Sequence, residues 1–322
     1  MIKCKYLFYI KAGSSAGLGH LRRSLAIASG LKEKGKSVCF LVKGDDTVIA
    51  ILKKKGFKAF RFSRSAFGAL KPSTAVIDQK DDVSSEIKEL HSKGTKTCLI
   101  DNATKARLIS DVVIYPVAHF DAKLNWKGFR GKKYVGPEYF PLNKEFLKTR
   151  PVKHKIFTIL VTMGGSDPNG LTAKAAKALS SMDGRFKALI VIGPGFKKRN
   201  IAEDKRFKII RDPKNIAGLM ASSDLAITAF GTTLYELAHM GIPALIISNF
   251  QGDEKDCLRF VKFRTAINLG YHEKVSAARI SGTISKLMSA KKKLIKMSKN
   301  GKKLVDGKGA AKIVKILKGL ST

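Results

Sequence analysis

The stretch KAGSSAGLGHLRRSLAIASGL, Lys11–Leu31, decides how the chain folds. It follows an apolar, β-rich run, Lys5–Ile10, and passes through Gly13, Gly17 and Gly19 into a segment with helical periodicity. There Leu21, Leu25, Ala28 and Leu31 recur at the spacing of one helix face. Strand, glycine turn and helix in that order open a βα unit, and backbone N–H groups at such a turn suit phosphate. A dinucleotide fingerprint needs a third glycine where Arg22 stands, and a side chain there obstructs close helix–strand packing, so NAD is disfavoured. His20 sits at the lip of the turn. The positive end of the helix dipole disfavours imidazolium and leaves the ring able to accept a proton. His20 is the candidate general base, with Gly17 and Gly19 as candidate substrate contacts.

Working outward, strand-like runs at Ser37–Val42, Ala75–Ile77, Thr97–Ile100 and Val112–Tyr115 alternate with helix-like runs at Thr47–Lys55 and Ser84–Ser92. That order predicts a mostly parallel sheet covered by helices. From Pro116 to Arg150 the periodicity is lost among Gly, Pro, aromatic and lysine residues, which places a domain boundary near 145–152. The alternation restarts with IFTILVTMGG, Ile156–Gly165, and runs through strands Lys187–Ile192, Lys208–Ile210, Asp224–Thr228 and Ala244–Ser248. The helices expected between them are Leu171–Leu179, Asn215–Ala221 and Thr233–Met240. From Val275 onward the pattern is of helices with lysine-rich faces. The expectation is an α/β chain of two Rossmann-like domains, 1–148 and 152–322, the second ending in a basic helical tail, with the two parallel sheets facing a central cleft.

The bulk properties bound the function. The net charge is +37, from 62 Lys and Arg against 25 Asp and Glu. A specific nucleic-acid partner would bring a known module or a basic face interleaved with aromatics, and neither is present. Attraction to an anionic membrane surface and simple solvation of helix faces both account for the charge. Cys4, Cys39, Cys98 and Cys257 lack metal-ligand spacing, and three of them adjoin apolar runs, so they read as small core residues of a reducing cytoplasm. Met1–Ile10 lacks the pattern of a signal peptide, and no apolar run reaches the roughly 18 residues of a membrane span. A cytoplasmic protein, peripheral at most to the membrane, is expected.

Two further turns bear on chemistry. In VTMGGSDPNGLT, Gly165 and Gly170 are spaced as in a P-loop, but Leu171 replaces the lysine, so ATP or GTP hydrolysis is not expected. Gly164, Gly165 and Ser166 then form either a backbone nest for a diphosphate or an ordinary turn with Ser166 or Asp167 as helix cap. In AFGTTLYELAHMGIP, Thr233-x-x-Glu236 is a capping box on one reading. On the other, Gly231, Thr232 and Thr233 donate to phosphate while Glu236 accepts from ribose. No metal motif or cofactor fingerprint appears, and neither is expected; Asp45-Asp46 and Asp81-Asp82 read as solvated turns.

Taken in order, GSSAGLGHLRRSLAIA, GPEYFPL, GGSDP, SDLAITAFGTTLYELAHMGIPALIIS and FQGDEKDCLRFVKFRTAINLG resemble the PseG-like UDP-sugar hydrolases of pseudaminic acid biosynthesis and the spore-coat polysaccharide proteins. That group is a branch of the GT-B superfamily, akin to MurG. The resemblance implies a second domain that binds UDP, with Gly164, Gly165, Ser166 and Gly231–Thr233 at the diphosphate, Glu236 at the ribose and Gln251 near the sugar. It places His20 at the catalytic position of the first domain, where water attacks the anomeric carbon and UDP leaves. Two departures stand out. The family's Asp-x-Tyr reads Asp78-Gln79-Lys80, and its paired glycines before Thr-Thr read Phe230-Gly231. Hydrolysis of a UDP-linked acetamido-deoxy sugar is the leading expectation. Transfer of that sugar to a lipid-linked or glycan acceptor is the second, and non-catalytic nucleotide-sugar binding the third.

Overall fold

The computed structural model describes residues 4–13, 18–116, 124–152, 154–196 and 200–320. The chain divides into two units, residues 1–143 with 307–322, and residues 144–306.

The first domain holds a seven-stranded sheet, in which every pair of neighbours is parallel. Its strands are β1 (Tyr6–Ala12), β2 (Val38–Gly44), β3 (Lys58–Arg61), β4 (Thr74–Asp78), β5 (Lys96–Ile100), β6 (Val112–Tyr115) and β7 (Lys132–Val135), in the order 3-2-1-4-5-6-7. β1 is central and apolar at consecutive positions because both its faces are covered. Tyr6, Phe8, Ile10 and Ala12 enter one core cluster, and Leu7 and Tyr9 the other.

The second domain repeats the plan with six parallel strands. These are β8 (Phe157–Thr162), β9 (Phe186–Ile192), β10 (Phe207–Arg211), β11 (Leu225–Ala229), β12 (Ala244–Ser248) and β13 (Ala266–Tyr271), in the order 10-9-8-11-12-13. In both sheets the order reverses beside the first strand, between β1 and β4 and between β8 and β11. Crevices for ligands form at the carboxyl ends of the strands at such switch points.

The structure departs from the sequence expectation in three places. The second domain keeps the tail helices Ala277–Met288 and Lys291–Leu304 but not the last one. Helix Gly309–Leu320 buries Ile313, Val314 and Leu317 in the first domain's core beside Leu21, Leu25 and Ala28. Its first residue lies so close to residue 140 that a Cβ on Gly309 would stand 2.1 Å from the Phe140 carbonyl oxygen, so only glycine fits. The boundaries 1–148 and 152–322 are corrected accordingly. Strands β3, β7 and β13 are short, polar or glycine-bearing, and periodicity does not show them. Finally, Cys4 and Cys39 are joined in a disulfide, whereas Cys98 and Cys257 are not disulfide-bonded and are buried as expected.

Among the described residues, no helix is long and apolar enough to cross a membrane.

Candidate active site

In the first domain the switch point is occupied by charge. Helix Gly19–Lys32 follows β1 and carries His20 on its first turn and Arg23 three residues on, on the same face. Asp78 ends β4, the neighbour of β1, and is fully buried. His20 Nδ1 lies 2.6 Å from Asp78 Oδ1. Arg23 grips the same carboxylate in a fork, Nε donating to Oδ2 at 2.9 Å and Nη2 to Oδ1 at 2.5 Å. Ser24 Oγ adds a bond to Oδ2 at 3.2 Å. The third Arg23 nitrogen, Nη1, reaches Asp101 Oδ2 beyond β5 at 3.0 Å, and Lys80 Nζ closes on that oxygen from the other side at 2.8 Å.

Burial of a carboxylate ordinarily favours its neutral form. Here that penalty on Asp78 is outweighed by the Arg23 charge and by hydrogen bonds from His20 and Arg23, and Asp78 is held well below the usual carboxylate range. Asp101 is lowered too, against its burial, by Arg23 and Lys80. The Arg23 guanidinium is raised; desolvation opposes this, and Asp78 and Asp101 overcome it.

An ionised Asp78 has a consequence for the histidine. In the neutral ring its oxygen takes the Nδ1–H, which leaves Nε2 with the lone pair. Among the described residues Nε2 makes no hydrogen bond, and the side chain keeps 15% of its surface exposed. The ring is therefore oriented by a buried carboxylate, which the helix-end argument from sequence did not include. Gly19 opens the helix beside it, with Leu18 as a cap that makes no side-chain bond. Gly17 lies outside the described residues.

In the second domain the switch point is uncharged on its exposed rim. Gly164, Gly165 and Ser166 follow β8 and are exposed. Gly164 takes φ +82°, and the loop after β9 packs beneath it. A Cβ on Gly193 would stand 2.5 Å from the Gly164 carbonyl, and Gly195 N donates to the Gly165 carbonyl at 2.8 Å. The next helix does not leave its N-terminus open, because Asp167 accepts from Leu171 N at 2.8 Å and Thr172 N at 2.9 Å. Asp167 thus bonds the helix start, while Gly164, Gly165 and Ser166 stay exposed before it. The loop after β11 behaves oppositely. Helix Thr233–Met240 has Thr232 at its cap with no side-chain cap bond, so the Thr233-x-x-Glu236 box is not formed. Gly231, Thr232 and Thr233 are half-buried and Glu236 is buried. Gln251 is exposed after β12, where Asn169 Nδ2 bonds the Asn249 carbonyl at 3.0 Å and ties that loop to the one after β8.

The structure thus gathers the second-domain positions on three adjacent strand ends and sets His20 on the first domain with partners that sequence reasoning missed. Arg23 and Asp101 carried no motif. Asp78 did carry one, at the end of a strand, and Arg23 stands three residues after His20 on a helix.

No family model matches the chain. It is 26% identical to the spore coat polysaccharide biosynthesis protein SpsG of Bacillus subtilis, over 97% of both chains. It is 30% identical to an uncharacterized protein of Methanocaldococcus jannaschii over 72% of this chain, and 24% identical over 72% to a Helicobacter pylori protein. The latter is named pseudaminic acid cytidylyltransferase and UDP-2,4-diacetamido-2,4,6-trideoxy-beta-L-altropyranose hydrolase. Against those two the chain spans about half the relative's length or less, 53% and 42%. Among solved structures, MurG of Acinetobacter baumannii superposes with a TM-score of 0.70 at 12% identity over 98% of this chain and 99% of its own. The glycotransferase of kitacinnamycin gives 0.74 at 13% identity over 98% of each. The chain has the GT-B fold and is similar in sequence to SpsG and to the Helicobacter pylori protein.

Proposed function

We propose that this GT-B protein is an enzyme of glycan biosynthesis that hydrolyses a UDP-linked acetamido-deoxy sugar at its anomeric carbon, releasing free sugar and UDP. The observation that carries the reading is the 2.6 Å contact of His20 Nδ1 with buried Asp78, which leaves Nε2 as an oriented base. Nε2 takes a proton from water as the water oxygen bonds to the anomeric carbon, and the bond from that carbon to the diphosphate breaks. Charge developing on the leaving diphosphate meets backbone donors at Gly164–Ser166 and the uncapped start of helix Thr233–Met240, where Thr232 and Thr233 add hydroxyls. Glu236 and Gln251 are assigned to the ribose and the sugar, and Gly19 to the approach of backbone beside His20. This assignment needs no second catalytic carboxylate at the sugar, because the leaving group is already an anion.

One observation favours transfer in place of hydrolysis. Lys80 stands where the PseG-like pattern has tyrosine and is held against Asp101, so the environment next to His20 differs from that pattern. A glycan or lipid-linked hydroxyl would then give up its proton to Nε2 in place of water. Incubation with UDP-activated acetamido sugars separates the readings. UDP release without an acceptor supports hydrolysis; release only on adding an acceptor supports transfer; UDP binding with no turnover of any donor rejects both.

A further inference from the structure

The lysine excess is not spread evenly over the second domain. Seven of the fourteen residues of helix Lys291–Leu304 are lysine, none is acidic, and all seven lysines are exposed. The opposite side of the helix is anchored by Met297, Gly301 and Leu304. A groove lies on each flank. One, of about 560 Å³, has a floor including Phe157, Ile242, Pro243 and Leu294 and a rim of Lys291, Lys299 and Lys302. The other, of about 530 Å³, is floored by Val261, Ala266 and Ile267 and rimmed by Arg264, Lys293 and Lys296.

Apolar side chains stand in the open along this cationic ridge. Ile295 is 47% exposed between the lysines, and Val152, at 56%, stands across the first groove. Asp224, the carboxylate of that groove, is engaged: it accepts from Thr158 N at 2.8 Å and faces His154. Both grooves open at the amino edge of the sheet, where β8, β12 and β13 begin, whereas the candidate UDP loops occupy the carboxyl edge.

We propose that this amino-edge face docks on an anionic lipid bilayer, with the lysines on headgroup phosphates and Ile295 and Val152 entering the interfacial region. The chemistry is that of an interfacial helix, whose lysines gain from surface charge and whose apolar residues gain from leaving water. A polynucleotide would use the lysines but gain nothing from Ile295 and Val152. The inference holds whether water or a sugar hydroxyl is the acceptor, so its test does not depend on turnover.

The test is co-sedimentation of the full chain with phosphatidylcholine vesicles, with and without phosphatidylglycerol, at low and high salt. Binding is expected only with phosphatidylglycerol and is lost at high salt. The set K291E, K292E, K299E and K302E is expected to weaken it by about fivefold per lysine removed. The same number of changes at the exposed Lys34, Lys53, Lys54 and Lys55 of the first domain is expected to weaken it far less. Ile295→Ser, which removes no charge, is expected to lower binding at fixed salt, and unchanged thermal unfolding of each variant shows that the fold survives. Three results would overturn the proposal: equal binding to neutral vesicles, equal loss in the first-domain set, or no effect of Ile295→Ser. Retention on polyuridylate without vesicle binding also overturns it.

Discussion

The two domains solve the same topological problem with opposite materials. Each sheet reverses its strand order beside its first strand, and each places a loop and a helix start at that reversal. The first domain fills the place with a closed circuit of charge, running from His20 through Asp78 and Arg23 to Asp101 and Lys80. The second offers glycine backbone and threonine hydroxyls; of its two buried acids there, Asp167 is turned inward to bond the start of a helix and Glu236 lies one turn inside the next. The difference teaches what each half is suited to. A proton acceptor must be aimed, and aiming a ring requires a fixed partner. An anion must be cradled, and cradling requires accessible N–H groups with no competing carboxylate.

That contrast can be broken by substitution. The largest effect is expected from His20→Ala, which should lower kcat by about 10²–10⁴-fold while leaving UDP affinity unchanged, measured by UDP release and by titration calorimetry. Loss of UDP affinity would show that the two halves do not divide the work. Arg23→Met should cost about 3–5 kcal/mol in denaturant unfolding, because it removes the buried cation shared by Asp78 and Asp101 and leaves them only His20, Ser24 and Lys80 as partners.

Acid should expose the same circuit. Asp78 has a folded pKa below its unfolded one, so its stabilisation is complete above the ordinary carboxyl range and is lost as pH falls through the folded value. The stability gap between the parent and Asp78→Asn should therefore hold steady from neutrality to about pH 5 and narrow below about pH 4. A gap that narrows already near neutrality would show that Asp78 is not held ionised. The smallest effect belongs to the second domain. Asp167→Ala should cost about 1 kcal/mol of stability, as for any lost helix cap, and should leave turnover intact. A collapse of turnover would make the acid part of the cradle.

Much of this was legible in the sequence, and the parts that were not have physical reasons. The two βα openings, the glycine turns and His20 are local patterns, so spacing alone finds them. The motif Asp78-Gln79-Lys80 was visible at a strand end, but the bond from Asp78 to His20 spans 58 residues of chain and exists only because β4 pairs with β1. Asp101 was invisible for the same reason. The alternatives at the two second-domain turns were open in the sequence because caps and phosphate nests use the same residues. In the structure the Asp167 side chain bonds one helix start, and the Thr233 start has no side-chain cap bond. β7, with exposed Lys132 and Lys133 at a sheet edge, has no apolar alternation to reveal it.

The helix that returns to the first domain sets an order of assembly. Ile313, Val314 and Leu317 complete a core begun by Tyr6 and Phe8, and the whole of residues 144–306 is synthesised in between. On the ribosome the second domain therefore has all its strands while the first still lacks part of its interior. The half that carries His20 is begun first and finished last, and until then its open hydrophobic seam is the surface that a chaperone would find.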